Sequence, residues 1–254
     1  MRLDAALVKR GLAESRSHAA RMIEERNITV GGVIAEKTSR MVAPDEPIEV
    51  LVKRRFVSRG GEKLEHALDS FGISVENRSV LDAGVSTGGF TDCVLQRGAR
   101  RVFAVDVGRN QLHEHMKSDA RVDWRDGVNV RDLVADDCPY PCSLLVADLS
   151  FISLTKVLSA FFASVSGESG YETPGMVLLV KPQFEAGRVE VSRGKGVITD
   201  PAIHQEACDT VRDAVVDLGG TVVGIIESPI KGAEGNTEFL MYVECPTRYV
   251  SCES

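Results

Sequence analysis

The chain has 254 residues, of which 43% are hydrophobic and 26% charged, and its formal net charge is −7. This composition predicts a soluble globular protein with one large domain, or a large domain and a small one. No apolar run approaches the length of a membrane span, and the charged N-terminus does not resemble a secretory signal. Six scattered cysteines without neighbouring histidines predict reduced thiols, no metal site and a cytoplasmic location.

The charge is distributed unevenly along the chain. Residues 1–55 hold 11 Lys and Arg against 8 Asp and Glu, a net charge of +3. The remaining residues hold 19 against 29, a net charge of −10. A basic small segment joined to an acidic large one predicts that the small segment meets a polyanionic partner.

The first 51 residues predict a small α+β unit. A helix is expected from Leu3 to Lys9, and a second begins at Ser15 with its apolar residues at helical spacing. Ile28-Thr29-Val30, followed by two glycines, predicts a strand and a tight turn, and residues 48–51 predict a further strand.

These residues resemble the S-four RNA-binding domain shared by a small ribosomal-subunit protein and pseudouridine synthases. The match includes Arg2-Leu3-Asp4, Ser15-Arg16, Met22-Ile23, Lys37-Thr38-Ser39 and Ile48-Glu49-Val50, while Arg26 and Pro44 depart from the pattern within turns. The resemblance implies an RNA-binding domain at 1–52 and a basic linker at 53–60. A basic helical hairpin with a solvated face is the alternative. The implied RNA contacts are Arg2, Lys9, Arg16, Arg21, Lys37, Arg54, Arg55 and Arg59.

A glycine-rich stretch, residues 81–90, follows a short apolar strand and precedes a predicted helix. Strand, turn and helix in this order let backbone N–H groups approach a bound ligand closely. The stretch lacks both G-x-G-x-x-G, because Ser86 stands two residues after Gly84, and G-K-[ST]. It resembles motif I of S-adenosylmethionine (SAM)-dependent methyltransferases. The alternative is a glycine turn that only lets a helix pack tightly on a sheet.

A second apolar strand, residues 101–106, ends in Asp106, about 20 residues after the glycines, where a ribose-binding carboxylate is expected. The stretch after Trp124 occupies the position at which methyltransferases contact adenine. The resemblance therefore implies a SAM site formed by Asp82, Gly84, Ser86, Thr87, Gly88, Gly89, Phe90, Asp106, Val107, Asp126, Gly127, Val128, Asn129 and Asp148.

Apolar strands alternate with helical patterns through the rest of the chain, which predicts a parallel sheet covered on both faces. Further strands are expected at 122–124, 144–148 and 176–180, followed by a helix from Pro201 to Leu218. Residues 221–226 and 238–243 are expected to pair as the last two strands. In such a sheet, ligands bind outside the carboxyl ends of the strands.

The residues after Asp148 restrict the methyl acceptor. Base N-methyltransferases place Asn or Asp, Pro, Pro and an aromatic residue here, whereas this chain has Asp148-Leu149-Ser150-Phe151. Cytosine C-methyltransferases need a Pro-Cys nucleophile after this strand. Cys142 follows a proline but precedes the strand, which indicates a structural role.

The order Lys63, Asp148, Lys181, Glu238 resembles the FtsJ-like RNA ribose 2′-O-methyltransferases, and together with the N-terminal unit it resembles the TlyA family, historically called haemolysin A. Shared stretches lie at 57–64, 81–90, 147–154, 180–185 and 235–238. The resemblance implies an α/β, Rossmann-like methyltransferase with a seven-stranded, mostly parallel sheet at 61–254, joined to the small α+β N-terminal RNA-binding domain. It further implies methylation of a cytidine ribose in ribosomal RNA or assembled ribosomal subunits, and catalysis by those four residues.

Chemistry supports that implication, because a lysine can take the proton of a ribose hydroxyl only when the amine is neutral, and a second lysine nearby favours the neutral form. Arg193 and Lys195 lie in a basic stretch that could hold RNA phosphates or be merely solvated. A non-catalytic RNA-binding assembly factor is the alternative function. A haemolytic, membrane-active protein is disfavoured by the lack of an apolar span and of an export signal.

Overall fold

The computed structural model describes residues 1–51, 55–168, 170–186 and 196–246. The chain divides into two compact units, Met1–Arg55 and Phe56–Ser254. Arg54, Arg193 and Lys195, three of the predicted RNA contacts, lie outside the described residues. Within the described ranges, no helix is long and apolar enough to cross a membrane.

The first unit packs two helices on a three-stranded antiparallel sheet. The Ser15 hydroxyl accepts the His18 N–H at 3.1 Å and so caps the second helix. Leu3, Leu7, Ile23 and Ile28 are at most 1% exposed and form the centre of its core. The elements are α1 (Leu3–Lys9), α2 (Arg16–Glu24), β1 (Ile28–Val30), β2 (Val33–Ile34) and β3 (Ile48–Val50), with strand order β2-β1-β3.

The second unit is built on a seven-stranded sheet, as the sequence predicted. The elements are α3 (Gly60–Ser70), β4 (Ser79–Ala83), α4 (Gly89–Gln96), β5 (Arg101–Asp106), α5 (Glu114–Lys117), β6 (Val122–Asp126), β7 (Leu144–Ala147), α6 (Leu158–Ser164), β8 (Gly175–Val180), α7 (Pro182–Glu185), α8 (Pro201–Asp217), β9 (Thr221–Glu227) and β10 (Phe239–Glu244). Short 3₁₀ turns occupy Val130–Asp132, Ala135–Asp137 and Leu154–Lys156.

The strand order is β6-β5-β4-β7-β8-β10-β9. Neighbouring strands from β6 to β8 pair in parallel, whereas β10 runs antiparallel to both β8 and β9. The fully buried strands β4, β7 and β8 explain the continuous apolar runs of the sequence. This arrangement confirms the predicted α/β fold class.

Helices cover both faces of the sheet, and each face has its own apolar core. Leu64 and Leu68 from α3 and Val94 from α4 pack on one face. Phe161 from α6 and Val211 from α8 pack on the other. Apolar side chains fill both faces of the sheet. The polar side chains therefore gather at the ends of the strands.

Candidate functional site

A cavity of about 570 Å³ opens at the carboxyl ends of β4, β5, β6 and β7. This is the edge of a parallel sheet at which ligands bind. Of the predicted cofactor residues, those that line the cavity are Gly84, Ser86, Asp106, Val107, Val128, Asn129 and Asp148.

Gly84 marks the place where the turn after β4 approaches the end of β7. Its φ is +85°, and a Cβ at this position would lie 2.7 Å from the Asp148 carbonyl oxygen and from a methyl group of Leu149. A side chain here would therefore separate the two strand ends, so the first glycine of the motif is required by packing as well as by its backbone conformation.

Asp106 ends β5 and closes the turn above the cavity. One carboxylate oxygen accepts the Ser86 N–H at 2.8 Å, and the other accepts the Gly108 N–H at 2.7 Å. Ser86 itself adopts a left-handed conformation, with φ of 48°. Because each carboxylate oxygen can accept more than one hydrogen bond, Asp106 retains acceptor capacity towards the cavity that it lines.

Asp82 is fully buried in β4 and accepts a hydrogen bond from the Thr91 hydroxyl at 2.6 Å. Its second oxygen, Oδ1, has no hydrogen-bond partner among the described residues. Burial raises the pKa of Asp82 to about 7, and the negative charges of Asp148 and Asp106 act in the same direction. Three carboxylates at neighbouring strand ends thus make this region complementary to a cation.

Two ion pairs contain the four predicted catalytic side chains. Lys181 Nζ lies 2.6 Å from Asp148 Oδ1 and donates to the Ser150 hydroxyl at 3.1 Å. Lys63, on α3, forms an ion pair with Glu238. Phe239 pairs with Val180 in the antiparallel ladder, so Glu238 and Lys181 lie at the same end of neighbouring strands.

The two lysines and Glu238 are each at most 8% exposed. Asp148 differs, because it is half-buried and also lines the cavity. Asp148 therefore contacts the buried Lys181 amine and also forms part of the cavity wall.

Phe151 is an exposed aromatic residue on the cavity wall that the sequence analysis did not assign to the site. Its side chain is 91% exposed, and its φ of 66° is unusual for a bulky residue. Its ring lies 5.4 Å from that of Phe184. Strained backbone and solvent-facing aromatic surface together indicate a functional constraint.

A comparison with family models matches residues 56–245 to the FtsJ-like methyltransferases and residues 1–48 to the S4 domain. The chain belongs to the FtsJ-like methyltransferases and, within them, to the TlyA family. It is 41% identical over 246 residues to Hemolysin A of Brachyspira hyodysenteriae, covering 95% of this chain and 99% of the relative. It is 40% identical over 248 residues to the 16S/23S rRNA (cytidine-2'-O)-methyltransferase TlyA of Mycobacterium tuberculosis H37Rv, covering 97% and 90%.

A solved structure of a hemolysin-like protein from Streptococcus thermophilus has the same architecture. Its TM-score is 0.77 at 38% sequence identity, and the match covers 96% of this chain and 88% of that chain. The similarity thus extends over both units of this TlyA-family member.

SAM is the cofactor of this methyltransferase, and the residues present fit it. SAM carries a cationic sulfonium, an ammonium group and a ribose with two hydroxyls. Asp148 on the cavity wall and the unpartnered Oδ1 of Asp82, which is fully buried and does not line the cavity, provide negative charge that suits the cations, and the acceptor capacity of Asp106 suits the hydroxyls. The cavity that Asp106 and Asp148 line is of the size that small-molecule sites have.

Several residues of motif I have packing roles instead. A Cβ at Gly89 would lie 2.1 Å from the Ser58 hydroxyl, and one at Gly88 would lie 2.8 Å from Met116. Phe90 is 3% exposed within the core beneath α3 and α4. These three residues do not line the cavity and let α4 pack against its neighbours, while their assignment to the cofactor stays a prediction.

Thr87, Asp126 and Gly127 also lie off the cavity wall. The Thr87 carbonyl accepts the His113 N–H at 3.2 Å, and Asp126 accepts the Asn110 N–H at 2.7 Å. Gly127, with φ of +74°, donates to the Gly108 carbonyl at 3.2 Å. These contacts hold the loops from which the cavity residues project.

The predicted RNA contacts of the first unit that the structure describes are exposed, and Asp4 brings two of them together. Arg2 and Arg16 form ion pairs with Asp4 at 3.1 and 2.7 Å. The hydrogen bonds from the two guanidinium groups hold the pKa of Asp4 well below its usual range. The carbonyl of Thr38, next to Lys37, accepts the Asp4 N–H at 3.3 Å.

The remaining basic residues are dispersed. Lys9 lies at the C-terminal end of α1, and Arg21 projects from α2. Arg59 belongs to the second unit, where it precedes the first turn of α3. Arg55 is exposed.

About half of the residues on the cavity wall were not predicted from the sequence. Residues 149–152 could have been predicted, because they directly follow a strand end and lie in a stretch that resembles the TlyA family. Gln111 and Arg131 carried no comparable signal. The missed residues are Gly108, Gln111, Val130, Arg131, Leu149, Ser150, Phe151 and Ile152.

Proposed function

We propose that the protein transfers the methyl group of SAM to the ribose 2′-hydroxyl of a cytidine in ribosomal RNA. One observation carries the proposal: Asp148 lines the cofactor cavity and also holds the buried Lys181 amine at 2.6 Å. A hydroxyl placed beside that amine would lie next to the cofactor. The rRNA methyltransferase relatives support the choice of a cytidine ribose as acceptor.

In this proposal Lys181 is the base. A ribose hydroxyl is a weak nucleophile until its proton is removed, and the bound cofactor supplies an electrophilic methyl group on its sulfonium. Lys181 would take the proton, and Asp148 and Ser150 would orient the amine. General-base assistance accelerates such a step by roughly 10²–10⁴-fold.

The charges around Lys181 act in opposite directions. Burial disfavours the charged form of an amine, whereas the Asp148 carboxylate favours it. The proposal requires the neutral amine at the moment of transfer. Lys63, at the same rim, forms its own ion pair with Glu238.

Phe151 is proposed to receive the target nucleotide. Sequence-specific RNA recognition uses bases that are unstacked and placed on aromatic side chains. A 91% exposed ring on the wall of the cofactor cavity provides such a surface. A base stacked there would bring its own ribose to the edge at which Lys181 lies.

We propose that the two units have different roles, substrate docking and catalysis. Residues 1–52 would dock the ribosomal substrate, with the exposed guanidinium groups of Arg2 and Arg16 as its positive surface, and the linker at 53–60 would add phosphate contacts. Residues 61–254 would bind SAM and carry out the transfer. Because its proposed partners are ribosomal RNA or assembled ribosomal subunits, the protein is expected to act in the cytoplasm.

A methyl-transfer assay tests the proposal. Ribosomal subunits from a strain that lacks this enzyme are incubated with the protein and methyl-labelled SAM, and the RNA is then hydrolysed with alkali. A 2′-O-methyl group blocks cleavage at the next phosphodiester bond, so the label is expected in an alkali-resistant dinucleotide that begins with cytidine. RNA binding without label transfer would instead support the assembly factor.

A further inference from the structure

Two segments face each other beneath the site. The first runs from Asp148 to Leu154 and the second from Lys181 to Glu185. They contact each other in order along their length: Asp148 and Ser150 bind Lys181, and the Phe151 ring packs on Phe184. Glu185 makes the last of these contacts, with Ser153 and Leu154.

Glu185 ends α7, and both of its carboxylate oxygens bind the first segment. Oε1 accepts the Leu154 N–H at 2.8 Å, and Oε2 accepts the Ser153 hydroxyl at 2.6 Å. Ser153 and Leu154 begin the 3₁₀ turn Leu154–Lys156. A carboxylate at this place satisfies N–H groups that a helical turn leaves unpaired.

The two hydrogen bonds of Glu185 restrict the loop at 149–153. Leu154 is 1% exposed and anchored in the apolar core. The loop at 149–153 is thus fixed at Asp148, which directly follows β7, and at Leu154, where Glu185 holds it. Burial raises the pKa of the Glu185 carboxyl, while the bonds from Leu154 and Ser153 lower it.

We propose that Glu185 is a positioning residue for methyl transfer. Its carboxylate ties the loop at 149–153 to the segment that carries Lys181, and so fixes the Asp148–Lys181 pair and the place of Phe151. Among the described residues, the Glu185 carboxylate hydrogen-bonds to Ser153 and Leu154 and does not line the cavity, so it acts through the residues it holds. The inference rests on the proposed function, because it concerns the rate of that transfer.

The test compares variants at Glu185 in the full-length protein. Glu185→Ala removes both hydrogen bonds. Glu185→Gln keeps the shape, since the amide oxygen can accept from Leu154 and the amide nitrogen can donate to Ser153. Glu185→Asp keeps the charge but withdraws the carboxylate by one methylene. Glu206→Ala, on the exposed side of α8, is the matched control.

A misplacement of about 1 Å can slow an enzymatic step by roughly 10²-fold. Glu185→Ala is therefore expected to lower kcat by about 10- to 100-fold, with the Kd for SAM and the KM for ribosomal substrate within about twofold of the parent. Glu185→Gln should restore kcat to within about threefold, and Glu185→Asp should not. Amide hydrogen exchange over residues 149–156 should accelerate in Glu185→Ala and Glu185→Asp alone.

Each outcome of these measurements either supports or contradicts the role proposed for Glu185. Parental kcat and unchanged exchange in Glu185→Ala would overturn it, as would a loss of SAM binding equal to the loss of kcat. If Glu185→Ala does not fold, a parental rate in Glu185→Asp would overturn it instead. A parent protein that transfers no methyl group to ribosomal RNA would contradict the proposed function, while the exchange data would still report whether Glu185 holds the loop.

Discussion

Asp148 stands between the cofactor cavity and Lys181, whose amine it contacts at 2.6 Å. A single carboxylate therefore touches both the space for the methyl donor and the group proposed to activate the acceptor. This relationship links the affinity for SAM to the geometry of the transfer step, and the experiments below separate the two.

The first prediction concerns Asp106. Loss of its carboxylate removes the acceptors proposed for the ribose hydroxyls and also frees the Ser86 and Gly108 N–H groups. Asp106→Ala should weaken SAM binding by about 1.5–3 kcal/mol, the range for hydrogen bonds to charged groups. Titration calorimetry measures this directly, with Asp217→Ala, an exposed carboxylate on α8, as control. Unchanged affinity in a folded Asp106 variant would refute the assignment.

The second prediction concerns the pH dependence of cofactor binding. The raised pKa of Asp82, about 7, means that the buried carboxyl carries a proton in the free protein below that pH. A cationic ligand favours the ionised form, so binding should release a proton and affinity should rise from about pH 5.5 to pH 7. Calorimetry in buffers of different ionisation enthalpy measures the released proton.

The control for Asp82 is Asp82→Asn, which cannot ionise. This variant should bind SAM with little pH dependence over the same range. Stability should follow the same carboxyl: as the pH rises from about 4 to 7, the unfolded chain ionises at this position while the buried carboxyl keeps its proton, so the free parent protein should lose stability and the variant should not. Equal pH dependence in parent and variant would contradict the prediction.

The third prediction concerns Phe151. Stacking of a base on an aromatic side chain contributes about 1–3 kcal/mol. Phe151→Ala should therefore lower kcat/KM for ribosomal substrate by roughly 5- to 150-fold and leave the Kd for SAM within about twofold. Phe151→Tyr should retain most activity, and Val134→Ala, another exposed apolar residue, serves as control. Parental kcat/KM in Phe151→Ala would exclude the stacking role.

The fourth prediction concerns the first unit. Deletion of residues 1–52 should leave SAM binding intact, because the cavity residues lie between Gly84 and Ile152. Methylation of ribosomal subunits should be lost. In the full-length protein, binding to the subunits should weaken steeply with salt, since phosphate contacts release counterions. A truncated protein that methylates subunits at the parental rate would show that the unit is dispensable.

The sequence predicted the fold well because the strands of the sheet are buried on both faces. Apolar runs such as Met176–Val180 are too short for a membrane span and end in polar residues, so they identified both the strands and their carboxyl ends. Local capping signals also located α2, which begins after Ser15 as predicted.

The sequence predicted the site less completely, for physical reasons. In motif I, Gly84 lies against the neighbouring strand end, whereas Gly89 leaves room for Ser58. The sequence shows a glycine at both positions, and only the tertiary packing distinguishes their roles. The left-handed backbone of Phe151 is likewise imposed by its surroundings and not by its own preference. The pairing of Lys63 with Glu238 joins residues 175 positions apart.

Substitution of Lys181 tests the central claim most directly. Both Lys181→Ala and Lys181→Arg are measured for single-turnover methyl transfer to ribosomal subunits, with SAM affinity determined in parallel. We predict that both variants bind SAM with nearly parental affinity and lose transfer, because a guanidinium keeps its positive charge but does not give up its proton in a protein. Transfer by Lys181→Arg at close to the parental rate would contradict the account, since Lys181 would then act by charge and position and not as the base.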